Sequence, residues 1–265
     1  MDRNLWFSAY DPINNLMFRH QGKSRTLKQN LQIATVLSFV AGIVNVSGFL
    51  AFKQLTTNVT GHFALFINDV ADFDFWKGTI YFLYIFSFLF GSFFSSFLIE
   101  RYRASKQLNV FVLPTLLEAL ILISIALFSN FNLIESPDLI VCLLLFAMGL
   151  QNSFVTTISK AIVRTTHLTG LFTDLGIDIS QLFFPKRHPY REKLKANIKL
   201  RIFIIASFFA GGLLGGLLYS RLNFELNTLG IAAFILLGSL IYDDLRYKFI
   251  KIKRKHKHER KKLAF

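Results

Sequence analysis

The residues best suited to chemistry lie in and around two short segments that interrupt an otherwise apolar sequence. Each segment begins with a Thr-Gly pair, and together they carry His and Asp side chains that can bind a polar solute or move protons. The candidate solute-binding residues are Asn45, Asn58, Thr60, Gly61, His62, Asp69, Asn152, Arg164, His167, Thr169, Gly170, Asp174 and Asp178. Glu118, inside an apolar stretch, is a candidate proton relay. The sequence predicts no catalytic residue, no metal site and no cofactor.

The two segments, residues 61–70 and 170–184, are too short to cross a hydrocarbon core, which takes ~20 residues of helix. A Thr-Gly pair can end one helix and open another, so we predict two half-helices that dip into the membrane. Their free amides would attract an anion. Each glycine would allow the backbone to approach a ligand closely and to adopt unusual dihedrals. The alternative is that both segments lie flat at the interface, where their polar side chains are simply hydrated.

Several polar residues have two or more interpretations. His62 precedes Asp69 by seven residues and His167 precedes Asp174 by seven, so each pair shares a helix face and can line one cavity without direct contact. Arg164 can pair with Asp174 or Asp178, or can be a charge on the cytoplasmic side.

Three polar residues lie within long apolar stretches. Asn45 and Asn152 occupy matching places in two such stretches, where an amide either forms interhelical hydrogen bonds or lines a site. Glu118 is either a structural residue with a partner or a relay.

The rest of the chain indicates an all-α integral membrane protein. Hydrophobic residues make up 53% of the sequence, and six stretches are nearly free of charge for the ~17–25 residues that a spanning helix needs. They are residues 31–52, 78–99, 108–128, 139–159, 202–220 and 226–242. Since backbone groups in lipid must bond within the segment, these stretches are predicted to be helices. The predicted organisation is an N-terminal segment (1–30), a transmembrane domain (31–243) and a basic tail (244–265).

The distribution of Lys and Arg predicts the orientation. Basic residues cluster before the first span, at 101–106, at 186–201 and after Arg246, whereas the loop 130–138 has none. Basic loops mark the cytoplasmic side, so both termini are expected in the cytoplasm, in the plasma membrane of a bacterial-type cell. No cleaved signal peptide is predicted, and Lys53, Lys77 and Arg221 are exceptions on the outer side.

The C-terminal run "KIKRKHKHERKK" (251–262) is expected to anchor the last helix or to contact anionic lipid. Nucleic-acid binding is not expected, because no aromatic residue is interleaved with these charges. The lipid bilayer is therefore the main predicted partner, besides an unknown small solute.

An internal repeat is visible in the sequence. "FVAGIVN" (39–45) matches "FAMGLQN" (146–152), "NVTG" (58–61) matches "HLTG" (167–170), and "SFLFGSFFSSFL" (87–98) matches "SFFAGGLLGGLL" (207–218). Because each copy, about 31–129 and 138–243, has three spans, the second copy should be inverted relative to the first. Inverted repeats are typical of secondary transporters; the alternative is a duplication retained for packing.

Small residues four apart suggest close helix packing. They are Gly91 with Ser95 and Gly211 with Gly215, at matching places in the two copies. Such seams join either the two repeats or two copies of the chain in a homo-oligomer.

The motifs also resemble those of the YoaK family, small polytopic membrane proteins with a domain of unknown function. The resemblance is carried by "SFVAGIVNVSGFL" from Ser38, "NVTGHFALF" from Asn58, "FAMGLQNSFV" from Phe146 and "VRTTHLTGLFTDLG" from Val163. It covers about residues 31–242 and implies a membrane fold but no activity.

These features favour a small secondary transporter or permease for a polar or anionic solute, with its site at the repeat interface near the midplane. One alternative is a membrane enzyme that uses His62, His167, Asp69 and Asp174 as acid-base groups or metal ligands. Another is a structural or regulatory membrane protein without a solute.

Overall fold

The chain folds as a helical bundle. The computed structural model describes residues 16–18, 25–102, 111–130, 136–184 and 190–263. These form helices α1 (Leu27–Phe52), α2 (Thr60–Ala71), α3 (Phe75–Tyr102), α4 (Val112–Asn130), α5 (Pro137–Ser159), α6 (Leu168–Leu182), α7 (Arg191–Ser220) and α8 (Thr228–Leu263). All but α2 and α6 are long and apolar enough to cross a membrane. The predicted all-α fold with six transmembrane helices is therefore confirmed.

Helices α1 and α5 form the centre of the bundle. In each of them 61% of the apolar window is buried, against 22% in α3 and 28% in α7. Helix α7 packs along α1, α3 packs along α5, and α4 packs against α8. The outer faces of α3 and α7 carry exposed apolar side chains such as Phe86, Phe93 and Phe209, which suit contact with lipid tails.

Glycines bring the backbones of these packed helices into contact. A Cβ added at Gly42 would collide with the carbonyl of Phe208, and one at Gly211 with the carbonyl of Phe39. The same contacts recur between the two other helices, where Gly91 meets Phe146. The small-residue seams therefore join the two halves of one chain, α1 to α7 and α5 to α3, as tight membrane packing requires.

The helices of the two halves also make equivalent contacts. Helix α1 packs on α7 and α8 as α5 packs on α3 and α4, and α2 packs on α3 as α6 packs on α7. The contacting residues Gly91 and Gly211 occupy matching places in the sequence repeat. The inverted repeat itself remains a prediction, which these equivalent contacts support.

Several helix boundaries differ from the predicted spans. Helix α7 begins at Arg191 instead of residue 202, and α8 continues to Leu263, through most of the predicted tail. The hydropathy pattern marks only the part in lipid, whereas Lys, Arg and Glu are good helix formers in water. Predictions on residues 1–15, 19–24, 103–110, 131–135 and 185–189 and on side chains beyond Lys253 lie outside the described residues.

A short N-terminal segment, residues 16–18, is fastened to the bundle. The amides of Met17 and Phe18 donate to the Asp243 carboxylate of α8, over 2.5 and 3.2 Å. The Arg25 guanidinium donates to the Met17 carbonyl over 2.8 Å, and burial lowers the pKa of Arg25 to about 10. These bonds join residues 17 and 18 to α8, and Met17 to Arg25 just before α1.

Candidate functional site

The chain turns back into the bundle after α1. Lys53 ends the helix in a left-handed conformation, with φ of 58°, and the Thr57 hydroxyl then donates to Asn45 Oδ1 over 2.9 Å. The Thr56 hydroxyl donates to the Val44 carbonyl over 3.2 Å. Since Asn45 lies seven residues before Phe52, the chain returns about 10 Å along α1. Helix α2 begins from this position.

The same turn follows α5. Lys160 ends that helix with φ of 52°, and the Thr166 hydroxyl donates to Asn152 Oδ1 over 2.8 Å. Thr165 accepts a bond of 3.1 Å from the Gln151 amide. Each turn thus bonds two helical turns away from the end of its span, and we call these two folded-back segments the re-entrant turns.

The two asparagines have a role that the sequence left open. Asn45 and Asn152 each fasten a re-entrant turn through a threonine that sequence reasoning missed, Thr57 or Thr166. A usable signal was present, because "TTNVTG" and "TTHLTG" both open with a Thr-Thr pair in register with the repeat. We call Asn45 with Thr57 the first cluster, and Asn152 with Thr166 the second cluster.

A hydrogen bond connects the region of the second cluster to α1. Gln151, next to the second cluster, also donates to the Leu37 carbonyl of α1 over 2.9 Å. Leu37 lies eight residues before Asn45, so the clusters are about 12 Å apart along α1. Across the described helices, α2 contacts only α3, and α6 contacts only α7. Each half-helix thus packs on a different helix, and the turn before it forms its own polar site.

At the first site, His62 is buried against α3. Its Nε2 lies 2.7 Å from the Leu55 carbonyl, which fixes the proton on that nitrogen as the donor. Its ring packs edge-on against Tyr84, with centroids 5.1 Å apart, and stacks on Tyr81. His62 therefore closes the turn, and with Asp69 it faces α3.

The first Thr-Gly pair is less constrained than predicted. The Asn58 side chain accepts a long bond of 3.5 Å from the Gly61 amide, and Thr60 is exposed. A Cβ at Gly61 would meet only side-chain atoms, the nearest at 3.7 Å. Within the described residues, no positive φ and no close backbone contact requires glycine at position 61. The close approach of Gly61 to a bound solute stays a prediction.

At the second site, His167 precedes α6 and is exposed, and its side chain makes no capping bond. A Cβ at Gly170 would collide with the His167 ring. Thr169 is exposed, and its carbonyl accepts a hydrogen bond of 3.0 Å from the Thr173 hydroxyl. Gly170 therefore makes room for a side chain of its own segment.

The predicted acidic residues of α6 approach a basic residue of α7. Asp178 is buried and pairs with Arg201 of α7, which also lies 3.3 Å from Asp174. Arg164 is exposed and forms no ion pair with any described residue, so of its two interpretations the pairing with these carboxylates is not found. Arg201 was missed because its approach to α6 depends on the packing of α6 on α7.

Asp69 occupies the corresponding place in α2. Its Oδ1 accepts a bond of 3.3 Å from the neighbouring Asn68 amide, and its Cβ lies near Gly78 at the start of α3. The carboxyl groups of Asp69 and Asp178 thus lie against α3 and α7, respectively.

A known protein family matches most of the chain. The family model, described as "Protein of unknown function (DUF1275)", matches residues 33–242. The chain belongs to the DUF1275 family. No curated protein and no solved structure matches it. The matched region of this DUF1275 member contains all six spans and both re-entrant turns, and the predicted membership in an uncharacterised family is confirmed.

Glu118 of this DUF1275 member lies in α4 and is completely buried. Neither of its carboxyl oxygens has a hydrogen-bond partner in the described part of the chain. No structural partner is therefore found there for Glu118. A buried carboxyl group without a partner is costly to keep charged, so its environment suits a group that carries a proton.

The membrane-enzyme alternative has a specific structural requirement, a cluster of metal ligands or of acid-base groups. Over residues 16–18, 25–102, 111–130, 136–184 and 190–253, no three His, Cys, Asp or Glu side chains are grouped so as to hold a metal ion. His62 and His167 belong to different half-helices, which do not touch. In the described structure these residues do not form one site.

Proposed function

We propose that this protein is a small secondary transporter or permease for a small polar or anionic solute. The solute would pass between the first and second clusters along the region where α1 meets α5. The observation that carries the proposal is the pair of equivalent re-entrant turns, fastened through Asn45 and Thr57 and through Asn152 and Thr166. Broken helices at matching places in two repeats are typical of transporter binding sites.

The physical reason is the cost of irregular backbone in lipid. Non-helical segments at membrane depth are tolerated where they are buried in protein or line a water-filled path. The amides at the starts of α2 and α6 would supply partial positive charge for an anionic group. Glu118 would provide a carboxyl group on α4, which packs on α5 beside the route, and Asp69 and Asp178 would provide carboxyl groups on the half-helices. In this proposal both termini are cytoplasmic and the protein lies in the plasma membrane.

The threonine hydroxyls provide the test. Thr57→Val and Thr166→Val keep the side-chain shape but remove the bonds to Asn45 and Asn152, so each variant should lower solute movement at least tenfold, a factor that corresponds to about 1.4 kcal/mol. The measurement compares the metabolite content of cells with and without the protein. The affected solute is then followed in vesicles that contain purified protein.

Thr79→Val is the matched control, because Thr79 is exposed on α3 and bonds only its own helix, to the Phe75 carbonyl over 2.8 Å. It should transport like the wild type. If wild-type protein changes no solute in cells or vesicles, or if Thr79→Val fails as completely as Thr57→Val at equal abundance, the proposed function is wrong.

A further inference from the structure

A groove lies between α1, α7 and α8, beside the fastened segment 16–18 and away from both polar clusters. Its volume is about 420 Å³, and its walls include Leu31 and Val36 of α1, Phe203 of α7 and Tyr242 of α8. Asp243 and Arg246 lie at one end of it. The groove is thus apolar along its length and ionic at one end.

Three basic residues lie in or beside the lining of this groove. The Lys199 ammonium lies 5.9 Å from the centroid of the Phe203 ring, and the Arg246 guanidinium lies 6.0 Å from that of Tyr242. Lys28 is exposed one turn before Leu31 on α1. Asp243, the acidic group in this lining, accepts the amides of Met17 and Phe18. The local balance of charge therefore favours a bound anion.

The groove wall also contains an unused acceptor. The amide oxygen of Gln32 is buried and has no hydrogen-bond partner within the described residues. Buried polar atoms are nearly always bonded, so Gln32 would gain a partner if its side chain turned toward a donor bound in the groove. Thr35 and Ser239 add hydroxyl groups to the same lining.

We propose that this groove holds one anionic glycerophospholipid of the leaflet on the N-terminal side. An acyl chain lies along Leu31, Val36 and Phe203, and the phosphate pairs with Arg246, Lys199 and Lys28. Arginine suits phosphate because its planar guanidinium donates two parallel bonds. Basic pockets between transmembrane helices bind anionic headgroups on the same principle. A hydroxyl-bearing headgroup such as glycerol supplies the donor that Gln32 lacks.

The test is lipid retention by the full chain. Purified protein is placed in nanodiscs made of phosphatidylglycerol and phosphatidylcholine, and lipids that stay bound after transfer to detergent are counted by native mass spectrometry. We expect wild-type protein to retain one phosphatidylglycerol. Arg246→Gln should weaken that binding about fivefold, the factor that corresponds to about 1 kcal/mol for one charge near the headgroup.

Two further variants make the outcome decisive. Lys248→Gln removes an equal charge from α8, but Lys248 is exposed and pairs with Asp244 outside the groove, so retention should not change. Thr35→Phe fills the groove without changing charge and should also lower retention. Equal losses in Lys248→Gln and Arg246→Gln, normal retention in Thr35→Phe, or no preference of wild-type protein for phosphatidylglycerol would each overturn the proposal.

Discussion

Gly211→Ala should lower the free energy of unfolding by about 2–3 kcal/mol, the cost of overpacking a close contact. The added methyl group would enter the space of the Phe39 carbonyl on α1. Backbone cannot rotate aside as a flexible side chain does, so α1 and α7 would have to separate along their seam. Gly91→Ala should have the same effect on α3 and α5, because its Cβ would strike the Phe146 carbonyl. The measurement is thermal or denaturant unfolding of the purified protein in detergent.

Gly238→Ala is the control for the glycine series. Gly238 lies within α8, and a Cβ there would meet nothing within 4 Å. Alanine is the better helix former by about 1 kcal/mol, so this variant should be unchanged or slightly more stable. Equal stability of Gly211→Ala and Gly238→Ala would contradict the close contact between α1 and α7.

Arg201→Gln should release α6 from α7 and destabilise that part of the bundle by about 2 kcal/mol. The substitution leaves the buried Asp178 carboxylate without its cation, and removing one partner of a buried pair is more costly than removing both. Asp174 would lose its ion pair as well. The measurement is hydrogen exchange of the α6 amides, which should become faster while α2 is unaffected.

The neutral double variant separates charge from packing. Asp178→Asn with Arg201→Gln removes both charges and should recover much of the protection of α6. Lys195→Gln is the surface control, since Lys195 pairs with exposed Glu192 near the start of α7 and such pairs contribute little. Unchanged exchange in Arg201→Gln, or a double variant worse than the single one, would show that this ion pair does not hold α6.

The spans could be predicted because apolar length is a local property of the sequence. Residues 139–159 correspond closely to α5, Pro137–Ser159, and residues 31–52 to most of α1, Leu27–Phe52. The extension of α7 back to Arg191 could not be found in this way, because helix in water leaves no hydropathy signal. The same limit hid the continuation of α8.

The candidate site could be predicted only in part, because several of its contacts join residues that are far apart in the sequence. The repeat identified Asn45 and Asn152, but their partners Thr57 and Thr166 depend on how a loop folds back beside its helix. Arg201 lies 23 residues after Asp178, and their pairing arises from helix packing. Gly61 shows a different limit, because the unusual dihedrals expected of a glycine at this helix start are not found there.

The most direct test of this account labels equivalent positions in the two re-entrant turns. Cys142 is the sole cysteine of the sequence, so Asn58→Cys and His167→Cys are made separately in a Cys142→Ser background and treated with a membrane-impermeant thiol reagent on intact cells. Two inverted half-helix turns predict that position 58 reacts from outside, and that position 167 reacts only after the membrane is opened. Reaction of both positions from the same side would contradict the inverted arrangement and the route between the two clusters that depends on it.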